Sequence, residues 1–188
     1  AHLERLAEGC VRLKIPVPDD SCLRSELQQL TKATLHATLK IIITRGSSPR
    51  GYRLPECCVP TRILGIQQTQ LRNLPSSGIR VRYCTTPISR NPVLAGLKTL
   101  NRLEQVMARA EWNDTKIVEG LMLNDRQEVI SGTMTNIFFA QNGVLFTPRL
   151  TECGINGIMR QQVLMVAESQ GIEVRQMAVS KTALSSAD

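Results

Sequence analysis

Aromatic residues make up only 3% of this chain, and there are two histidines, His2 and His36. So little aromatic surface leaves few platforms on which nucleic-acid bases could stack. No apolar run approaches the ~20 residues needed to cross a bilayer, and the opening residues Ala1, His2, Leu3, Glu4 and Arg5 do not resemble a secretory signal. The six cysteines (Cys10, Cys22, Cys57, Cys58, Cys84, Cys153) form no paired spacing of the kind that holds zinc. We expect reduced, packing thiols in a cytoplasmic protein, with neither metal nor membrane partner. The formal net charge is +7, but Lys and Arg are scattered among acidic residues. That balance suits a small anionic ligand or a solvated surface better than a nucleic acid.

With 42% hydrophobic and 21% charged residues, 188 in all, the chain has ordinary globular composition. It begins without Met inside a helical pattern and stops as another begins, which reads as part of a longer protein. Leu3, Leu6, Ala7, Cys10 and Val11 recur at helical spacing, so residues 2–13 are expected to form an amphipathic helix ended by Pro16 and Pro18. Asp19, Asp20 and Ser21 offer a cap for a second helix bearing Leu23, Leu27 and Leu30. Residues 39–44 read as a strand buried on both faces and residues 61–66 as another, separated by a turn-rich loop, residues 46–52. A linker is expected at residues 71–78, dividing an N-terminal domain (1–70) from a larger one (79–188).

Beyond it, residues 79–83 alternate like a strand, and Leu100, Leu103, Val106, Met107 and Ala110 mark a helix running to about Glu111. Strands are expected at 119–124 and within 136–147, the latter broken at Asn142-Gly143, a strong hairpin signal because both central residues of the favoured turn take positive φ. Residues 157–169 read as a helix stopped by Gly171, with a strand at 172–179. Composition and periodicity describe a two-layer protein of helices and strands and name no reaction.

Specific motifs go further. The run Asn91-Pro92-Val93-Leu94-Ala95-Gly96-Leu97-Lys98-Thr99-Leu100-Asn101-Arg102-Leu103-Glu104-Gln105 closely resembles the cofactor-lysine segment of aminodeoxychorismate lyases, pyridoxal-phosphate enzymes of fold type IV. Ile43-Thr44-Arg45-Gly46 with Pro49-Arg50-Gly51-Tyr52 resembles that superfamily's substrate-carboxylate loop. Ser131-Gly132-Thr133-Met134-Thr135-Asn136 resembles its cofactor floor, and residues 147–160, ending Gly154-Ile155-Asn156-Gly157-Ile158-Met159-Arg160, its phosphate turn. The resemblance implies an α+β or α/β fold, with a small N-terminal α/β domain and a larger C-terminal domain built on a mixed sheet or pseudobarrel, both truncated. It also implies pyridoxal 5'-phosphate as cofactor, a homodimer, and conversion of 4-amino-4-deoxychorismate to 4-aminobenzoate and pyruvate on the route to folate. A branched-chain or D-amino-acid aminotransferase, or a non-catalytic relative, would share these motifs.

Each motif has a chemical reason. Only a neutral, well-held amine can bond to the cofactor aldehyde and later serve as a base, the role the resemblance gives Lys98, which is expected to pack between residues 95–97 and the following helix. Unpaired backbone N–H groups at a helix start favour a phosphate, which singles out Gly157, Ile158 and Met159. Ser131 and Thr133 fall on the cofactor floor. Arg50, whose planar fork suits a carboxylate, reads either as a substrate ligand or as a solvated loop residue; Tyr52 could add a hydroxyl. Asn101 and Arg102 are candidates for orienting the lysine segment, Asn101 also for contacting substrate, and Arg45 has a structural alternative. The sequence departs from the superfamily at Ser131, where many members carry a glutamate that keeps a proton on the pyridine nitrogen. A serine there weakens the electron sink, which disfavours a transaminase more than a lyase whose product gains aromaticity.

Overall fold

The computed structural model describes residues 1–32, 36–69 and 77–188, and the chain divides into two compact units, Ala1–Asn73 and Leu74–Asp188. Residues 71–76 of the expected linker lie outside the described residues. Among those described, no helix is long and apolar enough to cross a membrane, and no group of His, Cys, Asp and Glu could hold a metal ion.

In the first unit, α1 (His2–Arg12) and α2 (Asp20–Thr31) precede two antiparallel strands, β1 (Ala37–Thr44) and β2 (Thr61–Gln68), paired from Ala37 opposite Gln68 to Thr44 opposite Thr61. The cap of α2 is Asp19, whose carboxylate accepts from the Cys22 N–H at 2.7 Å. On α2, Leu23 is buried and Leu30 is not, so the apolar face is narrower than its spacing suggests. Arg62 of β2 grips the Glu26 carboxylate through both Nε and Nη2, fastening α2 to the sheet. The structure corrects the expectation for β1. Its first residues alternate between half-buried and exposed and none is fully buried, because the strand belongs to a two-stranded sheet. Between the strands, Gly46 has φ of +83° and its hydrogen faces the Val59 carbonyl, so a side chain is excluded by backbone conformation and by space.

The second unit holds two mixed three-stranded sheets. In one, β3 (Arg80–Tyr83) runs parallel to β4 (Ile117–Leu123), which pairs antiparallel with β5 (Val129–Gly132). In the other, β6 (Phe139–Gln141) and β7 (Val144–Pro148) form a hairpin whose two-residue turn is Asn142 and Gly143, at φ +52° and +76°; β8 (Val174–Met177) lies parallel to β7. The parallel neighbours require crossovers. One contains α3 (Leu103–Arg109), the other α4 (Ile158–Ser169), and α5 (Lys181–Ser185) follows β8.

Two apolar clusters flank β4 and β5. Met122 and Ile130 face one, with Cys84, Ile88, Ala108, Trp112 and Cys153; their neighbours Leu123 and Val129 face the other, with Phe139 and Val179. This is the period of two expected of a sheet covered on both sides. Trp112, the only tryptophan, is 5% exposed and donates its indole N–H to the Ile117 carbonyl at 3.1 Å, with the Arg109 guanidinium 4.6 Å above the ring. A Cβ at Gly120 would stand 2.6 Å from that ring and 2.5 Å from Cys84 Sγ, so only glycine lets β4 approach the indole this closely.

The helix expected from Leu100 is shorter and starts at Leu103. The Thr99 hydroxyl accepts from the Asn101 N–H at 3.3 Å, and the Arg102 N–H donates to the Leu100 carbonyl at 2.9 Å. These local bonds form turns that replace the first helical turn. Leu103, Val106 and Met107 are exposed, and the helix buries only Ala108.

Candidate functional site

The lysine segment is tied to the start of α4 by main-chain bonds. Asn91 N–H donates to the Glu152 carbonyl at 2.6 Å, Gly96 N–H to Gly154 at 3.0 Å, and Asn156 N–H to the Gly96 carbonyl at 3.0 Å. Gly96 and Ile155 thus form a parallel bridge, with Lys98 two residues beyond it on one strand and Gly157 two residues beyond it on the other. Gly154, at φ +85°, makes the turn into this arrangement. Two ion pairs brace its outer side, Arg90 bonding Asp125 through both Nε and Nη2 and reaching Glu152 at 3.3 Å.

Ala95 and Leu97 are buried and Lys98 is exposed. The expectation that Lys98 packs against the following helix is therefore corrected: alternation along an extended segment sends Leu97 inward and Lys98 outward, and α3 begins only five residues later.

At α4, Gly157 is the N-cap, no side chain caps the first turn, and that turn carries no acidic residue. Its N–H groups face no competing carboxylate from their own helix, which fits the demands of a phosphate. Ile158 is buried and Met159 exposed. Behind the turn, Arg160 is 5% exposed. Its Nη1 donates to Asn156 Oδ1 at 3.0 Å, and its Nη2 to the Pro148 carbonyl at 3.1 Å and to Gln176 Oε1 at 2.8 Å, while its Nε has no partner. All these acceptors are neutral, and burial lowers the pKa of the guanidinium. A buried positive charge beside a positive helix end favours an anion there. The residues present therefore suit a phosphorylated cofactor.

Ser131 lies within β5 and Thr133 on the turn that follows it. Ser131 is buried and its hydroxyl donates to the Gly132 carbonyl at 2.8 Å; Thr133 is half-buried. The turn meets α4 through Asn136, whose Nδ2 donates to the Ile155 carbonyl at 2.9 Å and whose Oδ1 occupies the space a Cβ on Gly157 would need. The second unit thus gathers the lysine segment, the floor turn and the α4 start around residues 154–157.

Asn101 is exposed just past Thr99. Beside it lies a cavity of about 420 Å³, lined chiefly by residues 99–105 with Asn91, Leu94 and Cys153. Gly154 and Ala95 also line it while Lys98, Ser131 and Gly157 do not, so the cavity adjoins the site gathered around residues 154–157 without including those three. Arg50 and Tyr52 belong to the other unit, on the exposed loop between β1 and β2. In that unit Arg45 has the structural role: its guanidinium donates to the Leu13 carbonyl at the end of α1.

The Amino-transferase class IV family pattern matches residues 1–188. The chain belongs to this family. Its fold is similar to the crystal structure of a 4-amino-4-deoxychorismate lyase from Pseudomonas aeruginosa, with a TM-score of 0.92 and 42% identity over 100% of this chain and 70% of that one. An aminodeoxychorismate lyase of Vibrio harveyi is 34% identical over 100% of this chain and 70% of its own length. A putative branched-chain-amino-acid aminotransferase of Methanocaldococcus jannaschii is 32% identical over 92% of this chain, which spans 61% of that relative. The class IV relatives are pyridoxal-phosphate enzymes.

Residue-type reasoning overlooked Glu119. It is a single carboxylate in the apolar run of β4, only 6% exposed. A lone charge inside a strand that packs on both faces was the available signal.

Proposed function

We propose that the protein is a class IV lyase that converts 4-amino-4-deoxychorismate to 4-aminobenzoate and pyruvate with pyridoxal 5'-phosphate. The observation that carries this reading is the bridge between Gly96 and Ile155, which sets the lysine segment beside the uncapped start of α4. Lys98 would hold the aldehyde carbon through Nζ, Gly157, Ile158 and Met159 the phosphate through backbone N–H groups, and Ser131 and Thr133 the ring. When bound, the cofactor supplies an electron sink for the bonds broken beside the substrate amine. Lys98 would take the proton from the amine-bearing carbon, and the enolpyruvyl oxygen would leave with the C–O bonding pair and take up a proton, giving pyruvate and an aromatic ring. Arg50 and Tyr52 would bind substrate carboxylate, and Asn101 would help orient the substrate. A homodimer and a cytoplasmic location belong to the same proposal.

Lyase chemistry is preferred over amino transfer because Ser131 presents a neutral hydroxyl and its hydrogen is directed at the Gly132 carbonyl. Such a group stabilises a pyridinium less than a carboxylate does, and aromatisation of the product lessens the need for that help. Lys98→Ala is expected to abolish pyruvate release from the aminodeoxychorismate substrate; turnover surviving that change would refute the assignment. Amino transfer to 2-oxoglutarate without pyruvate would replace it with an aminotransferase.

A further inference from the structure

We propose that Glu119 is the positioning residue of the candidate site, its carboxylate acting as the template on which the floor turn of residues 132–135 is folded. The inference rests on the cofactor reading above and adds a residue to it. Glu119 Oε1 accepts from the Gly120 N–H at 2.9 Å, the Thr133 N–H at 3.0 Å and the Thr133 hydroxyl at 2.6 Å; Oε2 accepts from the Thr135 hydroxyl at 3.1 Å and the Met134 N–H at 3.4 Å. Every consecutive residue from Thr133 to Thr135 thus donates to one carboxylate that β4 holds in place. None of these donors is a cation, so the buried charge is balanced by oriented dipoles. Burial would raise the carboxyl pKa, but hydrogen bonds from Thr133, Gly120 and Thr135 outweigh that and keep it below the ordinary value.

The geometry of the turn confirms how closely it is moulded to the carboxylate. A Cβ on Gly132 would stand 2.8 Å from Glu119 Oε2 and 2.1 Å from Thr135 Oγ1, and the Gly132 N–H closes the turn by donating to the Thr135 carbonyl at 2.9 Å. The turn in turn presents the two groups that matter at its ends, Ser131 before it and Asn136 after it, the latter bonded to Ile155 beside the α4 start. A glutamine at 119 keeps the size but replaces one acceptor oxygen by a donor NH₂ that would confront N–H and O–H groups. The turn must then open, and both ends shift.

The test is cofactor affinity together with fold integrity. Pyridoxal 5'-phosphate is titrated into wild type, Glu119→Gln and Thr135→Val, following the cofactor absorbance, and Trp112 fluorescence in urea reports unfolding of each cofactor-free protein. Glu119→Gln is expected to weaken binding by roughly 10–100-fold, the range in which supporting residues act on bound groups. Thr135→Val removes one donor and keeps the shape, so it is expected to move binding in the same direction by less, with an unfolding midpoint close to wild type. Cofactor affinity unchanged in either folded variant would overturn the positioning role and leave the lyase reading standing. A wild type that does not bind the cofactor overturns both.

Discussion

Replacing Gly157 by alanine separates two physical expectations of opposite sign. Gly157 sits at φ −66° and ψ 150°, a conformation open to any residue. Backbone entropy alone therefore predicts that alanine stabilises the protein by about 0.4–1 kcal/mol. Packing predicts the reverse. The new methyl would lie 2.1 Å from Asn136 Oδ1, so the amide must retreat by more than 1 Å to reach ordinary contact, and its 2.9 Å bond to the Ile155 carbonyl cannot survive that shift. Losing that bond and leaving a partly buried carbonyl without it costs about 1–3 kcal/mol, enough to reverse the entropic gain. In an Asn136→Ala background the obstructing amide is absent, and Gly157→Ala should become neutral or mildly stabilising. The double-mutant cycle should accordingly show a coupling of roughly 1–3 kcal/mol. Urea unfolding followed by Trp112 fluorescence is the assay, since the one tryptophan lies in the core of the unit under test. Stabilisation by Gly157→Ala in the wild-type background, or an equal effect in both backgrounds, would refute the reasoning.

Two further outcomes follow from ionisation. Burial would raise the pKa of Glu111, but the backbone N–H groups of Thr85 and Thr86, at 2.9 Å and 2.7 Å, hold it down to about 2 from the ordinary 4.5. Its side chain is 12% exposed. A carboxyl depressed on folding stabilises above its unfolded pKa, so on the order of 3 kcal/mol, as an upper bound, should be lost as pH falls from 4.5 toward 2. Glu111→Gln should flatten that limb of the stability curve, and an acid limb identical to wild type would count against it. Burial also pushes the Cys84 and Cys153 thiols up to about 11. At pH 8 a disulfide reagent should modify exposed Cys22 and Cys57 rapidly and reach Cys84 and Cys153 only after unfolding, whereas equally fast labelling of all four would contradict the packing.

Local signals were sufficient for much of the fold. Asn142-Gly143 between apolar runs produced the β6–β7 hairpin, because the turn requires positive φ at both positions and these residues tolerate it. Gly171, at φ +67°, ends α4 for the same kind of reason, and Asp19 caps α2 as its position suggested. The class IV family was legible in contiguous motifs, since a lysine segment and a phosphate turn are each short runs whose residues act together. Periodicity misled at Leu100, where the Arg102 N–H turns back to the Leu100 carbonyl in a tight local turn and the helix starts only at Leu103, and on β1, where a two-stranded sheet left an apolar run half open.

Thus the linear order of residues was enough to settle where most helices and turns begin and which family's motifs the chain carries. Only the tertiary structure decided that Gly96 bridges to Ile155, that Asn136 rests on Gly157, and that Glu119 and Arg160 are buried charges held by neutral groups. The partners of Glu119 lie 14 to 16 residues further along the chain, apart from Gly120. A carboxylate in a strand pattern looks the same whether it faces water or a ring of donors, and enclosure by distant segments is what makes the difference.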